Sequence, residues 1–197
     1  MRPARSFIVE LAEILLLAVG LYIVITFAIQ TVHVIGYSMV PTLQDNDYVL
    51  ATKADLRFTH PVRGDIVILK DPFDSQQDFV KRVIALPGER LKITDGRIYI
   101  DGHLLEEPYL PKDEPWVSSA NWPTSGADPN AGLIPADHYF VMGDNRNHSS
   151  DSRVFGPIQS GRIESRAWIR LLPIDKFGPL VQRPTLTGSV VDRRSAA

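Results

Sequence analysis

Three short segments of this 197-residue chain hold side chains able to do chemistry. The first is Ser38-Met39-Val40-Pro41-Thr42-Leu43, a serine in a turn ahead of a proline. Turn serines are common, and alone this one needs no function. The second runs from Phe79 and Val80 through Lys81-Arg82-Val83 to Pro87-Gly88-Glu89. Strand alternation puts Lys81 on one face with Val83 and Ala85, and Arg82 on the other with Val80 and Ile84. A lysine on an amphipathic strand is usually a solvated one. Desolvated instead, its ammonium is disfavoured, and the neutral amine can take the proton of a serine hydroxyl. The third segment, Gly143 to Arg153, packs Asp144, Asn145, Arg146, His148, Ser149, Asp151 and Arg153 into eleven residues. Its carboxylates lack the spacing of a calcium loop, so a hydrogen-bonded scaffold is the reading preferred over a metal site. Cysteine is absent, which removes thiol nucleophiles, Cys-ligated zinc and disulfides.

Such groups need a rigid frame, and the sequence predicts a β one. Runs rich in β-branched and aromatic residues recur at 47–53, 65–69, 79–86, 90–94, 97–101, 138–142 and 163–172. Asp95-Gly96 joins two of them as a hairpin turn. Six of the fifteen prolines fall between Pro108 and Pro135, so about 103–135 reads as a loop-rich excursion. The stretch 176–197 has few large apolar residues and is expected to be a poorly ordered tail.

Ahead of this frame lies a different kind of segment. Residues 14–29 carry no charge, and eleven of the sixteen are Leu, Ile, Val or Phe. These favour membrane insertion by about 3–7 kcal/mol. Extended to 7–30, a helix would be about 36 Å long, enough to cross a ~30 Å hydrocarbon core with some tilt. Glu10 and Glu13 then sit near the interface, and Arg2 and Arg5 keep residues 1–6 cytoplasmic. The run is long for a secretory leader and lacks a small-x-small cleavage site. The expectation is a single uncleaved anchor, with 31–175 a β domain outside the cytoplasm. The net charge of −2 lies wholly in the part after the anchor. It argues against a nucleic-acid partner held by bulk positive charge.

In this order, behind one span, the segments resemble bacterial type I signal peptidases. Four boxes carry the resemblance: Ser38 to Leu43, Arg63-Gly64-Asp65-Ile66-Val67, Lys81 to Glu89, and Gly143 to Arg153. It implies a mainly β fold, with an antiparallel catalytic domain of the type shared with self-cleaving repressors. It also implies a membrane-bound serine endopeptidase that needs no cofactor or metal. Ser38 would be the nucleophile and Lys81 the general base. Ser149 would orient the lysine amine, and Asp144, Arg146, Asp151 and Arg153 would hold the site together.

The resemblance also assigns the Ser38 backbone N–H to the oxyanion hole. Gly36 stands where some relatives carry a second, hydroxyl donor. The implied substrates are the signal peptides of secreted preproteins, cut after Ala-x-Ala beside the lipid bilayer of a bacterial plasma membrane. Val34, Met39, Leu43, Phe79 and Val80 would line their pockets. The chain departs from the family pattern at Asn147-His148, where Asp-Asn is frequent, and at Phe79, where Tyr is common. A monomer is expected. Two other readings stay open: an inactive anchored peptide-binding homologue, and a self-cleaving Ser–Lys protease. Repressors of the latter type carry a DNA-binding domain where this chain has its apolar run.

Overall fold

The structure is a computed structural model and describes residues 7–53, 59–74, 77–112, 116, 121–123, 130–180 and 182–187. Its first element, α1 (Phe7–Ala28), exposes large apolar side chains along its length, from Phe7 to Phe27. A helix apolar on all faces and unpacked against protein needs an apolar surrounding. Its segment Val9–Ala28 is long and apolar enough to cross a membrane. The expected helix end at 30 is corrected. Ile29 and Gln30 already belong to strand β1 (Ile29–His33), paired antiparallel with β2 (Tyr48–Thr52) from Ile29↔Thr52 to His33↔Tyr48. The β-branched residues Ile29, Thr31 and Val32 favour this switch of period.

The rest is mainly β. The larger sheet adds β3 (Ile66–Lys70), β4 (Asp78–Ala85), β8 (His138–Met142), β9 (Ile158–Gln159) and β10 (Ile163–Leu172). Its order is β1-β2-β10-β3-β4-β8-β9, with β11 (Gly178–Pro179) on β10. The smaller sheet holds β5 (Leu91–Thr94), β6 (Arg97–Ile100), β7 (His103–Glu106) and β12 (Thr185–Leu186), in the order β12-β7-β6-β5. Asp95 and Gly96 turn β5 into β6 with φ of 50° and 69°, the double positive φ of a type I′ hairpin.

Leu91, Ile93, Ile98 and Ile100 of the small sheet pack against Ile84, Phe140 and Met142 of the large one. Strict alternation along β4 fails at its end. A bulge between Val83 and Ala85 puts Ala85 in the same cluster as Ile84. The expected tail also needs correction. Residues 174–176 form a short turn of 3-10 helix, β11 and β12 join the two sheets, and Leu180 packs beside Met39 and Leu43. Residues 188–197 of that stretch lie outside the described residues. So do 113–115, 117–120 and 124–129 of the excursion, which opens with β7.

Candidate active site

The loop after β1 carries Ser38, and its own backbone and core side chains fix it. Val34 N–H donates to the Asp47 carbonyl at 2.8 Å, and Asn46 N–H returns to the Val34 carbonyl at 2.9 Å. Met39 and Leu43 are buried beneath the loop with Val34 and Val49. Burying each of these side chains is worth about 1.5–3 kcal/mol, so the loop is anchored from below. Gly36 takes φ of 95°, a conformation that favours glycine, and its N–H donates to Asp45 Oδ1 at 2.7 Å.

Strand β4 brings Lys81 to this loop. β4 pairs with β3 along its length and with β8 from Arg82 onward, and both members of its Lys81-Arg82 doublet are buried. Lys81 Nζ donates to Ser38 Oγ at 2.9 Å and lies 4.9 Å from the centre of the Phe79 ring. Burial lowers the Lys81 pKa from 10.5 to about 8, against the attraction of Asp151 and with a smaller push from Arg153. An amine at this separation and with this acidity can exchange a proton with the serine hydroxyl near neutral pH.

Arg82, on the opposite face, is the organising residue that the sequence reading overlooked. It donates to both Asp144 oxygens at 2.9 and 2.7 Å and to the carbonyls of Gly64 and Gln182 at 2.9 and 2.8 Å. Its guanidinium lies 3.8 Å from the centre of the Tyr109 ring. The pair is fully buried, and removing one partner of such a pair typically costs about 3–5 kcal/mol. The Arg63 box thus supports β4 from below. Gly64 receives Arg82, while Arg63 donates to the Ile84 carbonyl and to Glu89 Oε1, each at 2.5 Å. A Lys-Arg doublet in a central strand was the available signal, because one charge must then face each side.

The loop between β8 and the short helix α2 (Ser152–Phe155) closes the site. Asn145 N–H donates to the Ser38 carbonyl at 3.0 Å, and Asn145 Nδ2 donates to the Tyr37 carbonyl at 3.1 Å. Asp151 caps α2 and accepts from Arg153 Nε at 2.8 Å, from an Arg153 terminal nitrogen at 2.7 Å and from Gly143 N–H at 3.0 Å. Arg146 is paired with Glu107. The carboxylates of Asp144 and Asp151 are therefore each held by an arginine. Ser149 Oγ is buried and has no hydrogen-bond partner among the described residues.

The Ser38–Lys81 pair opens into a cleft of about 1110 Å³. Of the residues expected to form substrate pockets, Val34, Gly36, Met39, Phe79 and Val80 line it. Leu43 is a correction. It is fully buried in the cluster under the nucleophile loop and lies outside the cleft lining, whereas Met39 of the same cluster reaches it. One wall is β1, whose edge away from β2 has no strand partner among the described residues. The facing wall is the start of β4, which β8 joins only from Arg82 onward. An extended peptide could hydrogen-bond to such edges.

Comparison with known proteins places these features in a family. Residues 8–172 match the family described as signal peptidase, peptidase S26. A signal peptidase I of Leptolyngbya laminosa is 36% identical over 181 residues, covering 85% of this chain and 83% of its own. A Bacillus subtilis signal peptidase I is 39% identical over 132 residues, covering 65% and 77%. A crystal structure of a signal peptidase I from Enterococcus faecalis is 34% identical, with a TM-score of 0.46 over 55% of this chain and 97% of that one.

Proposed function

This chain belongs to the signal peptidase, peptidase S26, family and is a protease that removes signal peptides; from that premise we propose that Ser38 is its nucleophile and Lys81 its general base. The observation that carries the assignment is the 2.9 Å contact between Lys81 Nζ and Ser38 Oγ at the floor of the cleft. Neutral Lys81 accepts the hydroxyl proton as Ser38 Oγ attacks the carbonyl at the end of the leader. The Ser38 backbone N–H faces the developing oxyanion; one such donor is typically worth ~2.7–4 kcal/mol. Gly36 N–H adds no second donor, since Asp45 already holds it. The Lys81 ammonium then protonates the leaving amine. Once neutral again, it deprotonates the water that hydrolyses the acyl-enzyme.

Ser149 makes no hydrogen bond to Lys81 in the resting site, and its buried hydroxyl, without a partner among the described residues, is available to take up the amine during turnover. Asp144, Arg146, Asp151 and Arg153 hold the frame. The leader lies extended in the cleft with small residues at its end, as in Ala-x-Ala. Val34, Met39, Phe79 and Val80 bound the pockets that exclude larger ones. The two sheets, from β1 to β12, form the catalytic domain of a monomer. α1 anchors it in a bacterial plasma membrane with that domain outside the cytoplasm, close to the bilayer where leaders emerge.

The test is cleavage of a preprotein bearing an Ala-x-Ala site. Ser38→Ala and Lys81→Ala each abolish turnover while circular dichroism and Tm stay those of a folded protein. Substantial turnover by either variant refutes the assignment.

A further inference from the structure

Gly143 packs tightly behind the nucleophile, with no room for a side chain. A Cβ on it would lie 2.4 Å from the Ser38 carbonyl oxygen and 2.3 Å from Ser149 Oγ. Any drift of this peptide is therefore transmitted to the Ser38 backbone. Two clamps hold it. Its N–H donates to Asp151 at 3.0 Å, and its carbonyl accepts from Arg146 Nε at 3.1 Å. The first clamp is closed within its own loop by Arg153. The second is closed from a distance. Both terminal nitrogens of Arg146 donate to Glu107, one at 2.7 Å.

Glu107 is in turn fixed by Tyr109, whose hydroxyl donates to it at 2.5 Å and whose ring covers Arg82. Burial, and then the Glu107 charge, raise the Tyr109 pKa, so that hydroxyl remains a donor. Trp116 presents its ring to both arginines of the two clamps, 5.3 Å from Arg146 and 5.4 Å from Arg153. Glu107, Tyr109 and Trp116 all belong to the excursion after β7, to which the sequence assigns no role. None of them lines the cleft.

We propose that Glu107, braced by Tyr109, is a positioning residue of the peptidase: it fixes Arg146 on the Gly143 carbonyl and so sets the approach of Ser38 to Lys81. The inference rests on the Ser38–Lys81 reading. Its effect is on the chemical step, because a bidentate carboxylate–guanidinium pair fixes direction as well as distance.

The full-length chain in detergent, cleaving an Ala-x-Ala preprotein, tests it. Glu107→Gln keeps the shape but removes the charge that holds Arg146. A kcat at least about tenfold lower is expected, with KM changed by less than about twofold. Glu107→Asp, which restores the charge, recovers part of kcat. Tyr109→Phe removes only the hydroxyl brace and lowers kcat by about threefold with KM unchanged. A folded Glu107→Gln with the parental kcat, or with its loss confined to KM, overturns the proposal. Should Glu107→Gln fail to fold, Tyr109→Phe decides, and an unchanged kcat overturns it. Lys81→Ala is assayed alongside. Turnover by that variant would sink the Ser38–Lys81 reading itself, whereas an inactive Lys81→Ala beside a fully active Glu107→Gln would sink only the role of Glu107.

Discussion

Substituting Gly143 by alanine is the smallest perturbation that should disable the site, and its size can be worked out. The added methyl would meet Ser149 Oγ at 2.3 Å, the Ser38 carbonyl oxygen at 2.4 Å and Ser149 Cβ at 2.6 Å. Ordinary contact begins near 3.5 Å, so the Ser38 carbonyl must retreat by about 1 Å. It cannot rotate away alone, because Asn145 N–H holds it at 3.0 Å. The nucleophile loop must therefore shift as a unit, which changes the Ser38–Lys81 geometry. A misplacement of about 1 Å costs roughly a hundredfold in rate, equivalent to about 2.7 kcal/mol. Overpacking lowers stability by a further ~1–3 kcal/mol. Gly161→Ala is the control. Its Cβ would meet nothing within 4 Å, and both rate and Tm should stay put. Single-turnover cleavage of a preprotein by the two variants, with Tm measured in parallel, gives the comparison. A Gly143→Ala protein that cleaves at the parental rate would refute the claim that this peptide sets the Ser38 position.

The remaining expectations concern the base and the core. Protonated Lys81 has no lone pair, so activity is lost as pH falls through its pKa of about 8. The pH profile of kcat/KM should drop tenfold per unit below that value and level off above it, and a midpoint near the ordinary lysine value contradicts a desolvated base. Leu43→Ala should lower stability by about 2–5 kcal/mol in urea melts while the preference for the residues before the cut stays unchanged. Phe79→Ala, at a cleft wall, should widen that preference at nearly parental stability; the reverse pattern would return Leu43 to the pockets.

How much of this was legible depends on what each signal measures. Strands β8 and β10 have the bounds that their sequence runs predicted: β8 is a short, almost wholly buried apolar run between turn residues, and β10 alternates over its first half. β1 was hidden, since an apolar run looks the same whether it continues as helix or turns into strand at Ile29. β11 and β12 are two residues each and carry proline or threonine, too little for any period to show. Ser38 and Lys81 each carried an ordinary reading alone and stood out only through the resemblance of their boxes to a known family; the fold brings them together. Leu43 was misjudged because spacing alone cannot tell a pocket wall from the core immediately beneath it. Glu107 gave no signal. Its meaning comes only from the buried cation that the fold carries to it across 39 positions of sequence.

The arrangement of charges explains how a lysine can serve as a base here at all. Three carboxylates, those of Asp151, Asp71 and Asp144, pull on Lys81 in the direction that would keep it protonated. Left bare, they would make an ion pair, and an ion-paired lysine is no base near neutral pH. Asp144 is instead taken up by Arg82, and Asp151 by Arg153. Each pair presents a dipole rather than a net charge, and its field falls off faster than that of a lone carboxylate. Arg153 adds a direct repulsion of its own. Desolvation then outweighs attraction, and the amine gives up its proton more readily than a free lysine. Arg82 and Arg153, which at first sight add positive charge to a hydrolytic site, are what keep Asp144 and Asp151 from serving Lys81 as counter-ions. This also accounts for the burial of the whole network. Water admitted beside Asp144 or Asp151 would solvate the ammonium as well and restore an ordinary lysine.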